Sequence, residues 1–200
     1  VPVAITGQTV LMADGLGPET SVSTWNLTTN KYSAFHAESG GDIALDAVGD
    51  VVLLGEGDTS CAAVWDLAAV NQRFSTCIPG SGSGYSNAFG LLSPAGKRYA
   101  GTQFRDDPTH RWPIIGDAST GKTDDRLREP FANSDLHIVD STQPQVVWED
   151  ETHIIALAKS GIGDVLIRCD VDAATCEVAF DAATLSSIQN AHLTLARPVY

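Results

Sequence analysis

The sequence is short of positive charge. Twelve Lys and Arg stand against twenty-five Asp and Glu, giving a formal net charge of −13 over 200 residues. Nucleic-acid binders draw much of their affinity from basic contacts to phosphate, so this balance argues against that class and against anionic membrane surfaces. It suits solubility, cationic partners or divalent metals. No apolar run is long enough to span a bilayer. The chain opens on Val1-Pro2-Val3-Ala4-Ile5-Thr6, with neither Met nor a signal-peptide pattern, as expected of a processed chain or one that continues upstream. No Cys-x-x-Cys or His-x-x-x-His spacing supports zinc. There is no Gly-x-Ser-x-Gly nucleophile elbow either.

Helical periodicity is also nearly absent. Short apolar runs alternate with clusters of Gly, Asp, Ser, Thr and Asn, the pattern of many short strands in one all-β domain. Four units of four strands each can be read, over approximately 1–38, 39–79, 86–130 and 136–182. The third unit runs AFGLLS, RYAGTQF, WPIIGD and a weaker TDDRLR; the fourth runs QVVWED, HIIALA, DVLIRCD and CEVAF. Residues 183–200 hold one more strand, HLTLARPVY, which would close the array or add to it. Asn26, Asp66, Asp117 and Asp170 occupy the same place in each unit, the end of the third strand. A short Asx side chain there can accept hydrogen bonds from backbone two residues on and fix the turn. Four strands per unit at this period indicate a propeller.

Four cysteines allow three pairings. Cys61 and Cys77 lie equidistant from Ala69, and Cys169 and Cys176 straddle the Asp172-Ala173 turn, so each pair can sit opposite across its own hairpin. Directly opposed residues stand about 4.5–5.5 Å apart, within disulfide reach. Bridges 61–77 and 169–176 are expected, and with them an oxidising, extracytoplasmic compartment.

Trp25-Asn26-Leu27, Trp65-Asp66-Leu67 and Gly116-Asp117-Ala118-Ser119-Thr120-Gly121-Lys122 resemble the Trp-Asp repeat of β-propellers. The Arg168-Cys169-Asp170 hairpin with Cys176 is similar to a divergent form found in secreted bacterial propellers. The resemblance implies an all-β propeller of about four blades. Three arrangements follow: closure as four blades, a portion of a larger propeller, which is the first expectation, or self-association of copies to complete a ring, since open blades leave edges that invite pairing.

Gly116 to Thr123 also fits Gly-x-x-x-x-Gly-Lys-[Ser/Thr], the phosphate-binding loop, in which Lys122 would meet phosphates and Thr123 a metal. That loop must open a helix. Here Pro130 follows soon after, and the stretch is in phase with the turns at Asp66 and Asp170, so a blade turn is the leading expectation. The five histidines, His36, His110, His137, His153 and His192, show no metal-ligand spacing. No cofactor is expected; a structural calcium at Asp106-Asp107, Asp124-Asp125 or Asp170 with Asp172 is the one alternative. Asn26-Leu27-Thr28 matches a glycosylation acceptor.

The loop from Phe104 to Trp112 brings Arg105, His110, Arg111 and Trp112 together in an acidic chain, and Tyr85 lies in an inter-blade loop expected on the same face. Arg and aromatic side chains concentrate binding energy. The leading expectation is a non-catalytic binding or scaffold module taking a protein, peptide or glycan through that loop face. The alternatives are a hydrolase or lyase with a site in the channel, and a nucleotide binder at Gly116–Thr123. Propeller sites draw single residues from several blades, so an active constellation is not legible in order along the chain.

Overall fold

The structure, a computed structural model, describes residues 2–14, 21–34, 42–56, 61–77, 89–104, 111–132, 134–138, 146–181 and 183–184. Among these, the chain forms four antiparallel sheets, each drawn from one continuous stretch. The first holds β1 (Pro2–Thr6), β2 (Thr9–Asp14), β3 (Ser21–Asn26) and β4 (Lys31–Ala34) in that order. The second holds β5 (Asp42–Val48), β6 (Val51–Glu56), β7 (Cys61–Asp66) and β8 (Asn71–Cys77). The third holds β9 (Phe89–Leu92), β10 (Arg98–Phe104), β11 (Arg111–Asp117) and the short β12 (Thr123–Asp124). The fourth holds β13 (His137–Ile138), β14 (Val146–Trp148), β15 (His153–Ser160), β16 (Gly163–Asp170) and β17 (Thr175–Phe180), with β13 and β14 both paired to β15.

The sheets stack face to face. Their first strands touch in sequence, β1 with β5, β5 with β9 and β9 with β14. This stacking explains why the apolar runs do not alternate. β7 is buried on both faces: Ala63 and Trp65 meet Leu11 and Val22 of the first sheet, whereas Ala62 and Val64 join the core shared with the third and fourth sheets. β16 does alternate, with Val165, Ile167 and Cys169 facing the third sheet. Among the described residues, no contact as extensive as these joins the first sheet to the fourth.

Two differences from the sequence reading concern the third and fourth units. TDDRLR gives only the two-residue β12; the chain then turns and forms a helix, α1 (Arg128–Ala132). Leu127 and Phe131, four apart, are turned together into the core, and Pro130 falls within the first turn, where its missing N–H breaks no helical bond. β13 is an additional strand on the fourth sheet. The strand expected from His192 to Tyr200 lies outside the described residues.

Cys169 and Cys176 are opposed in the β16–β17 ladder and disulfide-bonded. Cys61 stands opposite Cys77 in the β7–β8 ladder and is itself disulfide-bonded.

Candidate functional site

The connections β1–β2, β3–β4 and their counterparts in the other sheets gather at one end of the array. There the four in-phase Asx residues do the same work. Asn26 Oδ1 accepts from Thr29 N–H at 2.8 Å, Asp66 Oδ1 from Ala69 N–H at 2.9 Å, Asp117 Oδ1 from Ser119 and Thr120 N–H at 2.8 Å, and Asp170 Oδ1 from Asp172 and Ala173 N–H at 2.9 Å. Four residues after each, the backbone is left-handed: φ is 54° at Asn30, 50° at Val70, 73° at Gly121 and 55° at Ala174. One turn is thus built four times from four different sequences. The Ser119 hydroxyl, with N–H groups of Ser119 and Thr120, holds the Asp117 carboxyl below its ordinary value; the N–H groups of Ala173 and Asp172 do the same for Asp170.

That turn corrects the phosphate-loop reading. Gly116–Thr123 joins two antiparallel strands, with Gly121 N–H donating to Asp117 O at 2.9 Å and Asp117 N–H to Lys122 O at 3.0 Å. The N–H groups that would cradle a phosphate already serve a carboxylate, whose charge repels one. The two glycines have packing reasons instead. A Cβ on Gly116 would fall inside van der Waals contact with the Tyr99 ring, and one on Gly121 would come 2.6 Å from Phe74 Cδ2.

Neighbouring sheets are also tied at this end. Asp46, turned inward by a bulge in β5, accepts from Ala47 N–H and from Leu92 N–H of the third sheet, each at 2.7 Å. Glu151, in the β14–β15 turn, accepts from Ser93 Oγ at 3.1 Å and from Ala95 N–H. Arg98 reaches Asp172 at 2.8 Å and Arg126 pairs with Asp124 at 2.7 Å. These residues and Lys122 line a cleft of about 150 Å³ between the third and fourth sheets. Asp124, Asp170 and Asp172 therefore point to separate partners, not to one point; Asp106 and Asp107 lie outside the described residues.

A second cleft, about 370 Å³, opens on the fourth sheet beside His153, Arg168, Asp170, Thr175 and Glu177. Arg168 lies 2.6 Å from Glu149 and 3.8 Å from Glu177. His153 Nδ1 is 3.0 Å from Asp150 and its Nε2 3.8 Å from Asp170. Glu149, Asp150 and His153 bring ligand atoms within 4.8 Å of one another, the geometry of a divalent-cation site. Spacing of histidines alone misses this group; the legible signal is Asp150 three residues before His153 across a tight turn. Its donors are, however, already engaged. Burial acts to raise the Asp150 carboxyl, but hydrogen bonds from Thr152 and His153 outweigh it and hold it at about 2. Glu149 serves Arg168. The chemistry is that of a turn cap beside an ion pair.

Of the contact residues expected from sequence, Arg111 and Trp112 are not at a surface. Both are buried at the start of β11, which is covered on both faces, and Arg128 lies 5.3 Å over the Trp112 ring. Tyr85, Arg105 and His110 fall outside the described residues, as do His36 and His192. His137 lies half-buried on β13.

Four stacked antiparallel sheets, three of four strands and one of five, with capped turns at one end, make this a β-propeller array. No family model and no curated protein matches the chain. Solved structures agree on the fold. TolB from Acinetobacter baumannii is 13% identical with a TM-score of 0.52, over 88% of this chain and 41% of its own. The β-propeller domain of Myceliophteria thermophila Cps50 (Swd1) is 15% identical with a TM-score of 0.54, over 88% and 52%. A structure of prolyl endopeptidases is 10% identical with a TM-score of 0.54, over 92% and 29%. The chain thus spans about half or less of the length of each of these. Among the described residues, no helix is long and apolar enough to cross a membrane.

Proposed function

We propose that the chain is a non-catalytic binding module that takes a protein or peptide through the end of the array opposite the capped turns. The observation that carries this reading is the difference between the two ends. At the turn end, the Asx carboxylates and amide, Glu151 and Arg98 use their polar groups on this chain's own backbone and on neighbouring sheets. That end is a structural base. The strands that flank 15–20, 57–60, 78–88 and 105–110 in sequence terminate at the other end, and Tyr85, Arg105 and His110 fall in these sequence intervals. Loops on a rigid scaffold are where recognition concentrates. Arg111 and Trp112, which follow residue 110 at the start of β11, are buried and anchor that strand. The acidic balance favours a basic partner segment. Disulfides fit an oxidising, extracytoplasmic setting. The prolyl endopeptidase likeness is one of fold alone at 10% identity, so a hydrolase stands second.

The test is an array of Lys/Arg-rich, acidic and neutral 12-residue peptides, with a glycan array beside it. Basic peptides are expected to bind, and Arg105→Glu or Tyr85→Ala to change affinity about tenfold. Binding unaltered by these substitutions but abolished by Lys122→Ala at the turn end would overturn the reading.

A further inference from the structure

Of the four turns that follow the Asx residues, the first differs in one group. Asp66, Asp117 and Asp170 cap theirs with a carboxylate, whereas Asn26 uses an amide. A carboxylate makes the stronger, charge-assisted bond to backbone N–H, so cap strength does not call for the amide. The amide coincides with a hydroxyl two residues on. The chain has six asparagines, at 26, 30, 71, 87, 133 and 190, and among them only Asn26 is followed by Thr or Ser at that distance. Leu27, and not a proline, stands between Asn26 and Thr28. This is the tripeptide that accepts an oligosaccharide on its amide nitrogen.

The folded turn leaves that nitrogen available. Asn26 Oδ1 accepts from Thr29 N–H at 2.8 Å and from Thr29 Oγ1 at 3.0 Å, which fixes the amide and directs Nδ2 away from the bonded groups. Among the described residues, Nδ2 makes no hydrogen bond. Every residue from 27 to 34 is exposed. The matching turn of the second sheet is closed in: Leu67 is 0% exposed, against 41% for Leu27. A bulky sugar therefore has room at the first turn. Attachment keeps Oδ1 as an acceptor, so the cap survives the modification. The Thr28 hydroxyl donates to the side chain of exposed Gln8 at 3.2 Å, a surface bond that no backbone depends on. The disulfides belong to the oxidising compartments of secreted proteins, the setting of this modification.

We propose that Asn26 is an N-glycosylation site. The donor is an oligosaccharide carried on a lipid pyrophosphate. The amide nitrogen of Asn26 bonds to the anomeric carbon, and the bond from that carbon to the pyrophosphate oxygen breaks. One amide proton is released and the lipid pyrophosphate leaves; nothing is oxidised or reduced. The site lies at the turn end, away from the end assigned above to recognition, so the two readings stand or fall separately.

The test directs the 200-residue chain into a eukaryotic secretory pathway and measures the intact mass of the chain recovered from cells and medium, before and after peptide N-glycosidase. A mass excess is expected that the enzyme removes, converting the attachment residue to aspartate. Asn26→Asp, which supplies the cap used in the other three turns, should lose the excess and leave far-UV circular dichroism unchanged. Thr28→Ala should lose it and Thr28→Ser keep it. A variant with Asp66→Asn and Ala68→Thr carries the tripeptide in the second turn as well, and its added glycan shows that the host modifies this chain. An unmodified Asn26 overturns the proposal, most directly in a chain glycosylated at the added tripeptide. So does an excess that persists in Asn26→Asp.

Discussion

Replacing Gly116 by alanine tests the account of the phosphate-loop look-alike. Gly116 is directly opposed to Tyr99 in the β10–β11 ladder, and the ring lies across it. An added methyl would overlap Cζ, Cε1 and Oη of that ring. Tyr99 is fully buried and packs against Phe74, 6.2 Å away between ring centroids, so it has no solvent to swing into. Overpacking of this kind costs about 1–3 kcal/mol. Relief of the glycine's unfolded-state entropy returns roughly 0.5–1 kcal/mol. The expected net loss is about 1 kcal/mol, or a fall in Tm of roughly 2–4 °C for a chain of this size. Urea unfolding at constant m gives the number. Combining Gly116→Ala with Tyr99→Leu, which removes the ring, should recover about 1 kcal/mol relative to additivity. Lys122→Ala, exposed and outside these contacts, should stay within about 0.5 kcal/mol of the parent and leave nucleotide binding unaltered. A neutral Gly116→Ala, or magnesium-ATP binding that depends on Lys122, would refute the packing explanation.

Two further outcomes follow from the turn end. Val70 is β-branched and held at φ 50°, where its counterparts include Asn30 and Gly121; Val70→Gly should raise stability by about 1 kcal/mol by thermal unfolding, and no gain would mean that the turn is not left-handed there. The Asp150 carboxyl is held at about 2, below its ordinary 3.8, so its contribution is complete above pH 4 and fades as pH falls toward 2. Asp150→Asn should flatten the acid limb of a circular-dichroism titration in that window; superimposable limbs would rule out the cap.

The interval between Asx residues made the repeated meander legible, because a short polar side chain closing a turn is a local event. For the same reason the cysteine pairs could be placed: opposition across a hairpin depends only on distance from its turn. Sheet-to-sheet contacts are not local. Asp46 and Glu151 look like ordinary acids in sequence, yet each caps backbone of a neighbouring sheet, Asp46 reaching Leu92 and Glu151 reaching Ala95. Arg111 and Trp112 read as loop residues because cation and aromatic character suggests contact, whereas β11 is covered on both faces and takes them inside.

By itself, then, the sequence determined the strands, the turns and their repetition, since these follow from side-chain chemistry within a few residues. Only the tertiary structure decided which faces are covered. Trp25 and Trp65 carry the same local motif, and no neighbour in sequence distinguishes them. What separates a core tryptophan from an open aromatic face is whether another sheet, placed by packing over long range, supplies the leucine and valine that lie against it.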